Sequence, residues 1–220
     1  MKYVLKIVAF LAILLPTVDA MAQNESPGLD NRINLLFGLN QPLLARGFNI
    51  EGNLFYGRLA FDYSHGVSLD FAGNTVTGEL ADQQLAVHMP YTTGFGVGYR
   101  LNEWFNVRVE PKWHRFEIYE DGAEQTPDNR IVGYNTFSLG LGAYVNWRPF
   151  KKQENALRGL MVSPSLRYWP RVNSTLEDDQ FTYTNSLTDR VETHQAMEAG
   201  IANTPLIFNI SVGYSFQLKK

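Results

Sequence analysis

The chain has 220 residues, a formal net charge of −3 and no cysteine. A charge this small gives no reason to expect a nucleic-acid partner, since such proteins carry a large basic excess. The absence of cysteine excludes a disulfide framework and a lipid-modified N-terminal cysteine, so noncovalent contacts must hold the fold. The length fits a single domain.

The first 22 residues have the parts of a secretory signal peptide. Two lysines precede an apolar run over residues 7–15, and Ala-Met-Ala at residues 20–22 provides a cleavage pattern near Ala22. The run is too short to cross a bilayer as a helix, which needs about 20 residues. We therefore predict an exported chain. Its predicted parts are a signal peptide (1–22), a flexible lead (23–31) and one domain (32–220).

After residue 31 the strongest pattern is an alternation of apolar and polar residues with a period of two. Such a pattern is typical of strands that separate two environments. Every second residue from Phe208 to Phe216 is apolar, for example, while Asn209, Ser211 and Ser215 lie between them. Eight segments have this character. They cover residues 32–40, 44–54, 58–64, 92–101, 104–119, 131–148, 158–172 and 206–218.

The connections between these segments alternate in length. Residues 55–57 and 102–103 are tight turns, whereas residues 65–91 and 173–204 are long. With eight strands, the tight connections share one end of the sheet with both termini. An even strand number with short turns at one end and long loops at the other is typical of bacterial outer-membrane barrels.

Alternation alone does not say which face points outward, since soluble eight-stranded barrels place their apolar face inside. Three features favour an apolar exterior in lipid. Glycines cluster on the polar face, where a crowded lumen would need them, aromatic residues lie near strand ends, and lysine is scarce on the polar face. We predict an all-β protein: an eight-stranded antiparallel transmembrane up-and-down β-barrel with long outer loops.

Two prolines and one change of phase interrupt the regular pattern. Pro111 and Pro164 fall inside strands of a closed barrel, so each is expected at a bulge or at an end of regular pairing. Beyond Arg115, the apolar residues Phe116 and Ile118 fall on the opposite parity, which predicts a bulge there.

The C-terminal segment resembles the barrel-assembly signal of small outer-membrane barrels of the OmpA, OmpX and OmpW type. The shared pattern is a glycine, an aromatic and a hydrophobic residue at Gly213, Phe216 and Leu218. It departs from the commonest form because two lysines follow. The resemblance implies insertion into the bacterial outer membrane by the barrel-assembly machinery, with membrane lipid as a partner. It assigns no functional site.

The proposed inner face carries ten charged or titratable side chains. They are Glu51, Arg58, Asp62, Arg100, Arg108, Glu110, Lys112, His114, Arg148 and Arg167. Since eight strands enclose a space that side chains can fill, we favour a structural ion-pair network that plugs the lumen. The alternative is a narrow polar pathway. Because basic residues outnumber acidic ones, such a pore would favour anions.

A lipid-modifying membrane enzyme is a weaker alternative. It would need a nucleophile and a base, for which Ser64, His65, His88 and His114 beside Asp62 are candidates. No nucleophile-elbow motif supports this interpretation, so we predict no enzyme, no metal and no cofactor.

The third class of function is binding through the outer loops. Loops as long as 65–91 and 173–204 usually carry function or are disordered. The first loop is rich in apolar residues, which suggests a strand extension or a cap over the barrel mouth. The sequence therefore predicts a monomer with a structural role or an extracellular ligand bound through these two loops.

Overall fold

The protein, seen in a computed structural model, is described over residues 29–71 and 84–218. The strands are β1 (Arg32–Gly38), β2 (Phe48–Tyr56), β3 (Leu59–Phe71), β4 (Leu85–Arg100), β5 (Phe105–Glu120), β6 (Val132–Val145), β7 (Leu160–Tyr168), β8 (Arg171–Ser174), β9 (Gln180–Asn185), β10 (Arg190–Gln195) and β11 (Leu206–Gln217). A short helix, Asn40–Leu44, follows β1. Within the described ranges, no helix has the length and apolar character needed to cross a membrane.

Eight of these strands form a closed antiparallel ring. Strands β1 to β7 each pair with the next, and β11 pairs with both β7 and β1. Strand β8 continues the line of β7 along β6 after a break at Trp169 and Pro170. The predicted all-β, eight-stranded up-and-down barrel is confirmed. The predicted signal peptide, residues 1–22, lies outside the described residues.

The two faces of each strand meet different surroundings. On β5, the even-numbered side chains from Asn106 to His114 are buried inside the ring, while Val107 and Trp113 are 41% and 42% exposed on the outside. Leu141, Val97 and Phe208 on other strands are likewise exposed. The wall therefore presents an apolar exterior around a polar interior, in the direction that the sequence predicts.

The interior changes from polar to apolar along β5 without a change of phase. Phe116 and Ile118 keep the inward parity of Lys112 and His114, and both are buried. The predicted bulge at Arg115 is therefore wrong. The only register shift in the β4–β5 pairing lies on the other strand, between His88 and Thr92 of β4.

Each strand proline lies beside a gap in one of its two strand pairings. Pro111 is paired regularly with Leu139 of β6, but its position against β4 falls between the paired residues Gly94–Lys112 and Val97–Val109. Pro164 is paired with β11, while the regular β6–β7 pairing stops at Ser165. Proline has no N–H to donate to a neighbouring strand, so the pairing with one neighbour is interrupted there, and no bulge is needed.

In the described residues, the predicted long loops contain regular structure. Strands β3 and β4 continue beyond the ring to Phe71 and from Leu85, and the second loop contains β8 and the β9–β10 hairpin. Together they build an apolar cap over the far end of the barrel, opposite the described termini. Its buried members are Ala45, Leu69, Leu85, Val87, Met89, Phe116, Ile118, Tyr134, Phe181, Tyr183, Ala196 and Met197.

The near end of the barrel, where the described termini lie, is fastened by the last residues of the predicted lead. Asn31 accepts the backbone N–H of Gly57 at 2.8 Å through its side chain and that of Leu218 at 2.9 Å through its carbonyl. The turn between β2 and β3 is at Gly57 and Arg58, whereas the predicted turn covers residues 55–57. Gly57 has a φ of 53°, a conformation that glycine adopts without strain.

Candidate functional site

The centre of the barrel is crossed by an ion-pair network, and Glu51 lies at its middle. Arg108 Nη1 donates to Glu51 Oε1 at 2.7 Å, and Arg167 Nη2 donates to Glu51 Oε2 at 3.2 Å. These three residues come from β2, β5 and β7, so the two bonds span the ring. Arg108 also donates to Asn53 Oδ1 at 3.0 Å, which occupies further guanidinium hydrogens.

Two more carboxylates complete this central network. Asp62 Oδ2 lies 3.1 Å from Arg108 Nη1, and Lys112 Nζ lies 3.8 Å from Asp62 Oδ1 and 4.0 Å from Glu110 Oε1. The described centre thus holds three carboxylates (Glu51, Asp62, Glu110) and three cations (Arg108, Lys112, Arg167), all buried. Opposite charges in equal number allow each group to be compensated away from water.

Aromatic side chains fill the space between these charges. Tyr144 OH donates to one oxygen of Glu110, and Trp169 Nε1 donates to the other at 2.9 Å. The Arg108 guanidinium lies 3.8 Å from the Tyr144 ring centroid, and Lys112 Nζ lies 5.2 Å from that of Trp169. Each ring both accepts a cation on its face and donates a hydrogen bond, as buried aromatics do.

Glycines provide the room for this network. Three of the six charged residues illustrate this, since each is paired across the sheet with a glycine: Asp62 with Gly96, Glu110 with Gly140, and Arg108 with both Gly98 and Gly142. A Cβ at any of these glycines would meet a neighbouring side chain or backbone atom within 3 Å. The inward glycines therefore let long side chains fold across the narrow interior.

A second cluster of charges lies at the near end, with Asp30 at its centre. Its carboxylate lies 3.0 Å from Arg148 and 3.3 Å from both Arg32 and Arg100. Burial opposes ionisation, but the three guanidinium groups outweigh it and hold the pKa of Asp30 below its usual value. The hydrogen bond from Lys151, at 2.7 Å, similarly lowers the pKa of Glu103 at the rim.

Two of the ten predicted lumen residues lie outside both clusters. Arg58 is in the β2–β3 turn, half-buried, with its guanidinium 5.6 Å from the ring centroid of Tyr99. His114 points into the interior, where its Nδ1 is 2.7 Å from Thr92 Oγ1 and its Nε2 has no hydrogen-bond partner among the described residues. The other eight belong to the central network or to the near-end cluster.

Several residues of the site escape the sequence analysis. Trp169 is one of the aromatic residues near strand ends that favour a lipid exterior, but it is buried. It follows the inward Arg167 by two positions, and this spacing places it on the inner face. Phe55 is assigned to a turn, although it lies at the end of β2 with Arg32 and Arg100 over its ring. Asp30 falls in the predicted lead, and no pattern in the sequence marks its role.

The candidate catalytic residues do not form a nucleophile and base pair. Lys112 Nζ donates to Ser64 Oγ at 2.5 Å, and no described histidine is hydrogen-bonded to this hydroxyl. His88 Nδ1 lies 2.5 Å from Asp70 on the far-end extension, apart from Ser64. No group of three metal-ligating side chains occurs within the described residues.

A cavity of about 250 Å³ lies between the central network and the apolar cap. Its polar lining includes Ser64, Thr92, His114 and Arg167, which lie on the far-end side of the charged interior. Its apolar lining includes Leu69, Phe71 and Met89 of the cap region. The cavity is therefore polar on one side and apolar on the other.

The predicted barrel-assembly residues lie on β11, where the ring closes. Gly213 is paired with Leu36 of β1 and Met161 of β7, and a Cβ there would strike the backbone of Leu35. Phe216 is exposed on the outside. Leu218 follows the strand and bonds to Asn31.

Two solved structures resemble this chain. Ail, the attachment invasion locus protein of Yersinia pestis, is 12% identical, with a TM-score of 0.42 over 86% of this chain and 100% of Ail. A major outer membrane protein from Thermus thermophilus is also 12% identical, with a TM-score of 0.42 over 86% of this chain and 99% of its own. No family model and no curated protein matches the sequence.

Proposed function

We propose that this protein is a bacterial outer-membrane barrel with a closed lumen, which serves as a structural or ligand-binding element through its far end. The observation that carries the proposal is the inverted arrangement of the wall, with exposed apolar side chains around buried charges. Leu141 and Leu35, for example, are 62% and 56% exposed, whereas Arg108 and Lys112 are each 1% exposed. Water would penalise such an exterior, and hydrocarbon would not.

The signal peptide and the assembly motif support export to the outer membrane. The near end, with its tight turns and termini, would then face the periplasm, and the apolar cap with the β9–β10 hairpin would face outward.

The closed lumen is supported by two successive obstructions. Across the middle, the central network joins β2, β5 and β7 through Glu51, Arg108 and Arg167. Above it, the apolar cap covers the mouth. A barrel of eight strands has an interior that side chains can fill, so these groups suffice to obstruct it.

A narrow anion-favouring pore is the second candidate, and the near-end cluster favours it. Three guanidinium groups (Arg32, Arg100, Arg148) meet two carboxylates (Asp30, Glu103) there. The basic excess is confined to this end, since the central network is balanced. A pathway would still have to pass the network and the cap.

Planar-bilayer recording of the purified full chain separates the two functions. The closed-barrel proposal predicts no conductance steps for the wild type. It predicts steps for a variant that carries Arg108→Ser, Tyr144→Ser and Arg167→Ser and also lacks residues 180–195, the cap hairpin whose flanking residues are joined by a 2.8 Å hydrogen bond. Conductance steps in the wild type that prefer anions would overturn the closed-barrel proposal and support the anion-favouring pore. Before recording, a shift in gel mobility on heating must show that both proteins are folded barrels; a chain that instead stays in the soluble fraction contradicts the membrane assignment.

A further inference from the structure

The cavity between the central network and the apolar cap has the features of a binding site. With about 250 Å³ it lies just below the usual range for small-ligand pockets, roughly 300–1,000 Å³. It joins apolar walls to a few convergent polar groups, which is the usual composition of such pockets.

The polar side of the cavity presents hydrogen-bond donors to a carboxylate or another acceptor. Among its described lining residues, the charged or titratable side chains are Arg167 and His114, and none is an aspartate or a glutamate. The hydrogen bonds of Arg167 to described residues use Nε, to Ser165, and Nη2, to Glu51, so that Nη1 can serve a ligand. The buried Nε2 of His114 has no partner among the described residues and, in one tautomer, is a second donor.

The apolar side leads from the cap to the outer surface of the barrel. Leu69 and Met89 are buried members of the cap, whereas the rim residues Leu44, Ile201 and Phe208 are 63%, 50% and 47% exposed. Phe208 also belongs to the apolar exterior of β11. The opening is therefore continuous with the surface that we assign to the outer leaflet.

We propose that this cavity binds a single-chain amphiphile with a carboxylate head, such as a fatty acid of about twelve carbons. The head is held by Arg167 and His114, since a guanidinium recognises a carboxylate through charge-assisted hydrogen bonds. The tail runs along Leu69 and Met89 toward the rim at Phe208. The small volume selects one chain over a two-chain phospholipid. This inference rests on the proposed membrane placement and names the ligand class of the far end.

The direct test is carbon NMR of the full chain in nanodiscs of dimyristoyl phosphatidylcholine, with dodecanoate labelled at its carboxyl carbon as the probe. We expect a saturable carboxyl resonance, distinct from that of dodecanoate in the bilayer, at one equivalent. Dodecanol, which lacks the charge, should compete about tenfold less well, a difference of about 1.4 kcal/mol. Equal competition by dodecanol would overturn the assignment of the head site, and a carboxyl signal from the bilayer alone would overturn the site itself.

Two variants locate the bound chain. Ala199 lines the cavity, so Ala199→Trp should weaken binding at least about tenfold, while the matched change Ala143→Trp on the exterior of β6 should leave it intact. Met89→Ala removes part of a lining side chain and enlarges the cavity on its apolar side. This variant should therefore prefer tetradecanoate to dodecanoate more than the wild type does. Equal binding by all variants would place the ligand elsewhere. Heat-shifted gel mobility shows separately whether each variant is an inserted barrel, so loss of insertion is distinguished from loss of binding.

Discussion

The carboxylate of Asp62 on β3 occupies the space directly over Gly96 on β4, the residue with which it is paired across the sheet. This contact holds Asp62 Oδ2 3.1 Å from Arg108 Nη1. A glycine is needed because a Cβ at position 96 would collide with the carboxylate oxygens. The glycines of the polar face are thus part of the charge network.

Gly96→Ala should therefore destabilise the barrel. The added methyl group must push Asp62 away from Arg108, and overpacking of this kind costs about 1–3 kcal/mol. Gly52→Ala is the matched control, because a Cβ there would meet only Leu35 Cδ2, at 3.9 Å, and its effect should stay within about 0.5 kcal/mol. The free energy of unfolding in urea, measured from lipid vesicles by tryptophan fluorescence, checks both. Equal losses would show that the contact with Asp62 has no energetic role.

Arg108→Ala should be much more damaging, because it leaves Glu51 and Asp62 buried with one cation fewer. Removal of one partner from a buried pair costs about 3–5 kcal/mol. Arg115→Ala is the control, since this half-buried arginine pairs with Glu117 at 3.5 Å, and an ion pair of that kind contributes at most about 1 kcal/mol. The same urea titration measures both variants. If Glu51→Gln added to Arg108→Ala restores no stability, the uncompensated charge is not the cause.

Stability should depend on acid through Asp30. Its pKa is lower in the folded protein than in the unfolded chain, where it is near 3.9. The carboxylate therefore stabilises the fold above that value, and the contribution disappears as the pH falls through the folded pKa. Asp30→Asn should lower the thermal midpoint at pH 7 and leave it unchanged below the folded pKa.

Asp128→Asn, in an exposed far-end connection, is the control for this pH series and should be neutral throughout. Circular dichroism in vesicles, recorded from pH 2 to pH 7, gives the midpoints. A constant difference between Asp30→Asn and the wild type at every pH would exclude ionisation as the source.

The alternation of residues was enough to predict the ring and the orientation of its faces, because a strand between two solvents must alternate. It also predicts that charged side chains such as Arg108, Glu110 and Lys112 face inward, where all three are buried. It failed beyond Arg115, where an apolar interior imitates a change of phase: Phe116 faces inward because the cap surrounds it.

The pairing of particular charges could not be read from the sequence. Glu51 meets Arg108 and Arg167 across the ring, at sequence separations of 57 and 116 residues, and only the closure of the barrel sets these partners. Asp30 was missed for the same reason, since the three arginines around it come from three different strands or connections.

Spin-label accessibility tests most directly whether lipid surrounds the apolar exterior. The chain has no native cysteine, so a nitroxide can be attached at Leu141→Cys, on the outward face of β6, and at Ser138→Cys, on its inward face. In vesicles, the label at position 141 should collide readily with oxygen and hardly with a water-soluble nickel chelate, while the label at 138 should be shielded from both. Ready collision of the chelate with the label at 141 would contradict the account.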